Sequence, residues 1–215
     1  MGRIDAVEAS AENENSLEIY VGGAYLGTVQ HKVWKRTGLK AGDELDAKRW
    51  ETLRQEELPR AAQNRALYMI EAHALSQKEL QDRLQEVGYD EDSIAVAMQK
   101  LIYYGYVNDA DLARAICRYA QTQGKYGAWK LRNKLISRGI GRALMEEVLQ
   151  EMDEGWEADA LQEHLPVLYR KYAAQEDARK RRDKVAAALK RRGYDWEDIT
   201  TALNKYEKMY RDDDD

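Results

Sequence analysis

LIYYGYVNDADLARAICRYAQTQGKYGAWKLRNKLISRGIGRALMEEVLQEM, residues 101–152, holds the pattern that decides the fold. Within it Leu131, Leu135 and Gly139 stand at i, i+4 and i+8. The same spacing occurs before it at Leu80, Leu84 and Gly88, and after it at Val185, Leu189 and Gly193. The match continues past each glycine without a gap. Ile94, Met145 and Ile199 lie six residues on; Met98, Leu149 and Leu203 lie ten on; Leu101, Met152 and Tyr206 lie thirteen on. The glycines are 51 and then 54 residues apart, so the chain carries an internal threefold repeat.

Each repeat has a direct physical reading. Apolar residues at i and i+4 share one helical face. Glycine then ends the helix, because it enters the left-handed conformation cheaply. The apolar positions after the glycine are again spaced for a helix. A third helix precedes each pair, over 65–74, 109–123 and 158–174. Ser76 with Glu79 forms a capping-box pair before the first of these leucines. Asn108, Asp90 and Asp195 sit where N-caps belong, each worth ~1 kcal/mol. Helices of this length are marginal alone, so their apolar faces must supply most of the stability.

Outside the repeats the pattern changes. Residues 1–15 are polar and aperiodic, which predicts disorder. Leu17, Ile19 and Val21 alternate, then come Gly22-Gly23, then Tyr25, Leu26 and Val29: a β-hairpin, which must pack on something to be stable. Residues 39–43 form a turn, Asp46 is placed to cap a helix bearing Trp50 and Leu53, and Pro59 interrupts or restarts that helix. Pro166 predicts a kink or a fresh start within 158–174, and residues 175–182 read either as a joint or as part of the next helix. The expected divisions are a tail over 1–15, a hairpin and helical extension over 16–61, three-helix units over 62–106, 107–153 and 154–210, and an acidic tail over 211–215. Nearest-neighbour packing of such units predicts an elongated, mainly α-helical array.

Composition agrees. Of 215 residues 34% are charged, with two prolines and no phenylalanine, as in a helical, well-solvated protein. The 14 tyrosines are expected to fill aromatic core positions. Cys117 is the sole cysteine, which excludes an intramolecular disulfide and reads as a small buried residue. No signal peptide and no apolar run of about 20 residues is present, which predicts a cytoplasmic protein.

Charge carries the functional signal. The net charge of −5 argues against a dedicated nucleic-acid binder. Yet residues 109–142 hold Arg114, Arg118, Lys125, Lys130, Arg132, Lys134, Arg138 and Arg142 against only Asp109 and Asp111. That segment is +6, leaving −11 elsewhere. A second run, Arg179, Lys180, Arg181, Arg182, Lys184, Lys190, Arg191 and Arg192, is diluted by Glu176, Asp177 and Asp183. The candidate partner- or DNA-binding residues are the eight cations of the first segment with Arg182, Arg191 and Arg192. They suit phosphates or an acidic protein surface, without base-specific readout. A solvated helix face is the plain alternative. Catalytic signals are absent: His31, His73 and His164 lack ligand spacing, and Gly22-Gly23 lacks the Gly-Lys-Ser/Thr ending of a phosphate loop. No cofactor or metal is expected.

Several segments together resemble the RecX regulatory proteins. They are Leu101-Ile-Tyr-Tyr-Gly-Tyr-Val-Asn-Asp, Ala113-Arg114, Gly124-Lys-Tyr-Gly, Lys130-Leu131, and Leu135 to Gly139-Ile140, with Ser76-Gln-Lys-Glu-Leu80 and Arg191-Arg-Gly-Tyr-Asp195. The likeness spans about residues 62–206. One departure is Asn108, where the family commonly has a second acidic residue. The resemblance implies three tandem three-helix units in a curved array and a non-enzymatic, monomeric modulator of the recombinase RecA in DNA repair, homologous recombination and the SOS response. Such a protein lies in the groove of the RecA–single-stranded DNA filament, limits its growth, and dampens ATPase, strand exchange and coprotease activity. A helical module binding DNA directly, without RecA, is the rival expectation.

Overall fold

A computed structural model of the chain describes residues 2–123 and 126–212, in two compact units, residues 1–109 and 110–215. The first unit opens with strands β1 (Gly2–Ala9), β2 (Ser16–Val21) and β3 (Ala24–Gln30), helix α1 (His31–Thr37), and the short strand β4 (Glu44–Leu45). They form one antiparallel sheet in the order β3-β2-β1-β4. The hairpin at Gly22-Gly23 is present: Val21 pairs with Ala24, and both glycines have positive φ, as a two-residue turn between right-twisted strands requires.

Residues 2–9 correct the expectation of a disordered tail. They are a strand between β2 and β4, with Ile4 buried opposite Val21 and Val7 opposite Ile19. A register shift between Ile4 and Ala6 breaks the period-two alternation that would have announced it. The sheet packs on α1 and on α2 (Ala47–Thr52), burying Ile19, Val29, Trp34, Trp50 and Leu53 together. This supplies the packing that a lone hairpin lacks. Asp46 caps α2, accepting the Arg49 amide at 2.6 Å. A π-helical turn over Leu53–Glu57 links α2 to α3 (Leu58–Ala72), with Pro59 in the first turn of α3. The π-helical turn stands directly before the proline, and the helical backbone continues through both without a break.

Helix α3 with α4 (Gln77–Glu86) and α5 (Glu91–Tyr103) makes the first three-helix unit. In residues 110–215 lie two more. One is α6 (Asp109–Gln123), α7 (Ala128–Ser137) and α8 (Arg142–Gln150). The other is α9 (Trp156–Lys171), α10 (Ala178–Arg191) and α11 (Trp196–Asp212). Each has its own core. Leu80 and Leu84, Leu131 and Leu135, and Val185 and Leu189 are all fully buried. Each glycine closes its helix in the left-handed conformation, with φ of 94° at Gly88, 76° at Gly139 and 89° at Gly193. In each turn the residue after the glycine donates its amide to the second apolar residue: Tyr89 to Leu84, Ile140 to Leu135, Tyr194 to Leu189. This is the bond that satisfies a helix's last carbonyls.

Two points that the sequence leaves open are answered, and two expectations change. Helix α9 runs through Pro166 without ending. Of residues 175–182, the first three belong to the joint between α9 and α10 and residues 178–182 to α10 itself. Val148 is buried in place of Leu149, which is half-buried at the same core. The tyrosines fill the core only in part: Tyr194 is 1% exposed, Tyr89, Tyr126, Tyr169, Tyr172 and Tyr206 are half-buried against the cores, and Tyr25, Tyr68, Tyr103, Tyr104, Tyr106 and Tyr119 are exposed. No helix among the described residues is long and apolar enough to cross a membrane.

Candidate functional site

The candidate cations fall into distinct groups once side chains are placed. Arg114, on α6, is engaged. Its guanidinium donates to both carboxylate oxygens of Glu151 at 2.8 Å, with Glu147 at 3.7 Å and Asp111 at 3.9 Å. This fork-to-fork geometry holds the arginine proton more tightly than usual and lowers the Glu151 pKa. Arg182, on α10, is likewise held by Glu207 and by Asn204 at 2.7 Å. These two arginines tie helices to one another. Arg132 is intermediate: it reaches Glu146 at 3.8 Å with both side chains nearly half exposed, a pairing worth little.

A second group keeps its charge available. Lys130 and Lys134 stand at i and i+4 on α7, each one position before a core leucine, Leu131 and Leu135, and both are half-buried. Both ammonium groups lie over the Tyr126 ring, at 5.3 and 5.0 Å from its centre. The ring packs against the core and supports two cations of like sign beside each other. Among the described residues neither lysine forms an ion pair, nor do exposed Arg118, Arg142 and Arg191. Arg142 occupies the first position of α8, after an N-cap that supplies no side-chain bond and with no acidic residue in the first turn. A cation there opposes the helix dipole, so its position is not explained by stability. Arg138 is half-buried at the C-cap of α7, where a cation suits the dipole, and Arg192 is half-buried at that of α10. Lys125 lies outside the described residues.

The sequence reading missed Tyr126. It sits in Gly124-Lys-Tyr-Gly, which reads simply as a turn, and only the three-dimensional proximity of Lys130 and Lys134 reveals its role. Two carboxylates also act unseen as caps. Asp109 accepts the Gln77 amide at the start of α4, at 2.8 Å, and Glu157 accepts the Ala128 amide at the start of α7, at 2.6 Å. Burial raises the Glu157 pKa, and that amide bond works against the rise. Cys117 is buried, and burial pushes its thiol pKa up. No cluster of metal-ligating side chains occurs among the described residues.

The helical repeats have relatives. Three domain models match in tandem: RecX, first three-helix domain, over residues 62–101; second, over 108–149; third, over 157–203. A regulatory protein RecX of Clostridioides difficile is 26% identical over 205 residues, covering 95% of this chain and 96% of its own. One of Clostridium tetani is 25% identical, covering 95% and 94%. Two crystal structures share the fold. A regulatory protein RecX matches at TM-score 0.63 and 22% identity over 95% of this chain and 100% of its own. RecX from Lactobacillus salivarius matches at 0.62 and 20%, over 70% and 97%. With three successive RecX domains matched over most of the helical chain, and relatives aligned along nearly its whole length, the protein belongs to the RecX family.

Proposed function

We propose that this protein is a non-enzymatic regulator of the RecA recombinase, binding the RecA–single-stranded DNA filament and limiting its growth, ATPase, strand exchange and coprotease activities. The observation that carries the reading is the membership of all three helical repeats in a family whose relatives are named regulatory proteins. One group of side chains supports a contact on the second three-helix unit. Lys130 and Lys134, spread over Tyr126, present two adjacent positive charges that no carboxylate in the described chain neutralises. Arg118 and Arg142 extend the unpaired set, and Arg114 belongs instead to the scaffold. A nucleoprotein filament offers phosphates and acidic side chains to such a face. The protein acts as a monomer in the cytoplasm in this reading, with no cofactor.

A pull-down tests it. The full chain is mixed with RecA, with and without single-stranded DNA and a slowly hydrolysed ATP analogue. Co-sedimentation that depends on the assembled filament is the expected result. No association with RecA in any of these mixtures overturns the reading.

A further inference from the structure

Strand β1 has an edge that the sheet does not use. Antiparallel strands bond their two neighbours through alternate residues. The Ser10 amide donates to the Ser16 carbonyl at 3.0 Å, and this sets the alternation: Glu8 and Ala6 bond Glu18 and Tyr20 of β2, while Val7 and Ala9 turn their amides and carbonyls to the far side. On that side β4 pairs only with Gly2 and Arg3. The loop before β4 adds two bonds at Ile4, which donates to the Asp43 carbonyl at 2.9 Å and accepts from the Gly42 amide at 2.8 Å. At Gly42, with φ of 97°, the chain turns away from β1. Among the described residues nothing bonds Val7 or Ala9 on this edge, and Glu8 and Ala9 are exposed. Open main-chain groups in a row are a template for another strand. The outer face beside this edge has a second unanswered feature. Glu8 and Glu18 stand directly opposite each other, where like charges destabilise. Neither forms an ion pair among the described residues; Glu18 accepts the Tyr20 hydroxyl at 2.9 Å. Residues 1–20 hold five aspartates and glutamates against Arg3 alone, so no neighbour in this stretch supplies the missing cation.

We propose that the open edge of β1 accepts an extended, lysine- or arginine-bearing segment of a partner protein, laid beside Val7 and Ala9 where β4 ends. In that position alternate residues of the segment pair with Val7 and Ala9 through main-chain bonds. The residue between them falls on the outer face opposite Glu8, and a cation there offsets the repulsion between Glu8 and Glu18. Main-chain bonds supply the affinity of such strand addition, and the alternate side chains supply its selectivity. Charge selects the occupant. These carboxylates repel nucleic acid. A second copy of β1 would set its own Glu8 and Asp5 against them, and like charges across strands disfavour that pairing. The contact lies within residues 2–18, apart from the cations of α7, and does not depend on the filament reading.

The test uses the full chain and a fluorescein-labelled hexapeptide of alternating lysine and valine, read by anisotropy at low salt. The wild type is expected to bind it, and amide exchange at Val7 and Ala9 should slow when it does. Ala9→Pro should weaken binding about tenfold by removing one outward donor and crowding the edge. Its circular dichroism should be unchanged, because proline is tolerated on an edge strand where its nitrogen faces away from the ladder. The pair Glu8→Gln with Glu18→Gln should weaken binding about threefold and flatten its salt dependence. A hexapeptide with glutamate in place of lysine, and one with its valine amides methylated, should compete poorly. Failure of the wild type to bind the basic peptide, an Ala9→Pro variant that binds as well as it does, or full competition by either altered peptide would each overturn the proposal. So would Val7 and Ala9 amides already protected before peptide is added, which would give the edge to a second copy. RecA is absent from the mixture, so none of these results decides the filament reading.

Discussion

The turn at Gly88 and the turn at Gly193 have the same local form and are sealed differently. At Gly88 the carbonyls ending α4 receive side chains from the sheet. Asn13 donates to Gln85 at 2.7 Å, Asn15 to Glu86 at 3.2 Å, Ser16 to Gly88 at 3.1 Å, and Gln30 to Val87 at 3.2 Å. At Gly193 the seal is main chain. The Gly127 amide donates to the Arg192 carbonyl at 2.9 Å, and a Cβ on Gly127 would lie 2.5 Å from the Gly193 oxygen. The repeat dictates the turn; the neighbour dictates how its exposed carbonyls are satisfied. Charge separates the same regions. Residues 1–109 hold 13 lysines and arginines against 19 aspartates and glutamates, and residues 110–215 hold 21 against 20. One helical design thus serves an acidic unit closed by a sheet and a near-neutral unit with unpaired cations.

If the units share their core logic, Leu80→Ala and Leu131→Ala should cost alike, about 3 kcal/mol each in urea denaturation, because both side chains are fully buried. A difference of more than about 2 kcal/mol would break the equivalence. The glycines should separate the two seals. Gly127→Ala should cost about 2 kcal/mol, since backbone must move, although its φ of −77° suits alanine. Asn13→Ala and Asn15→Ala should each cost about 1 kcal/mol and raise amide exchange at the end of α4, leaving the end of α10 unchanged.

The smallest effect is expected at Arg114. Its pair with Glu151 is exposed, so Arg114→Ala should shift the denaturation midpoint only slightly. The pH dependence gives the sign. The folded pKa of Glu151 is depressed, so the pair's contribution is present above the unfolded carboxylate value and is lost as pH falls through the folded one. The difference between wild type and Arg114→Ala should therefore shrink on acidification. A difference that grows toward low pH would contradict the pairing.

The sequence made the helical repeats readable because i, i+4 and glycine are local signals. All six residues of that grammar are buried, and all three glycines are left-handed. The first strand was hidden for the same reason in reverse: the register shift between Ile4 and Ala6 removes its alternation, and its hydrogen bonds go to distant β2 and β4. The basic segment was visible as composition, but its division into used and unused charge was not. Arg114 meets carboxylates more than thirty residues away, a pairing no spacing rule forecasts. Arg114, Arg118 and Arg132 look equivalent in the sequence, and only side-chain placement separates the braced one from the exposed ones.

The central claim is that the unpaired lysines of α7, not the braced arginine of α6, engage the filament. It is tested most directly by dose–response curves for inhibition of RecA ATPase on single-stranded DNA, with wild type, Lys130→Gln/Lys134→Gln and Arg114→Ala measured side by side, after circular dichroism has shown equal helicity. The account predicts about a tenfold rise in the half-inhibitory concentration for the lysine pair and less than about a twofold change for Arg114→Ala. Inhibition unchanged in the lysine variant, or lost in the arginine variant alone, would contradict it.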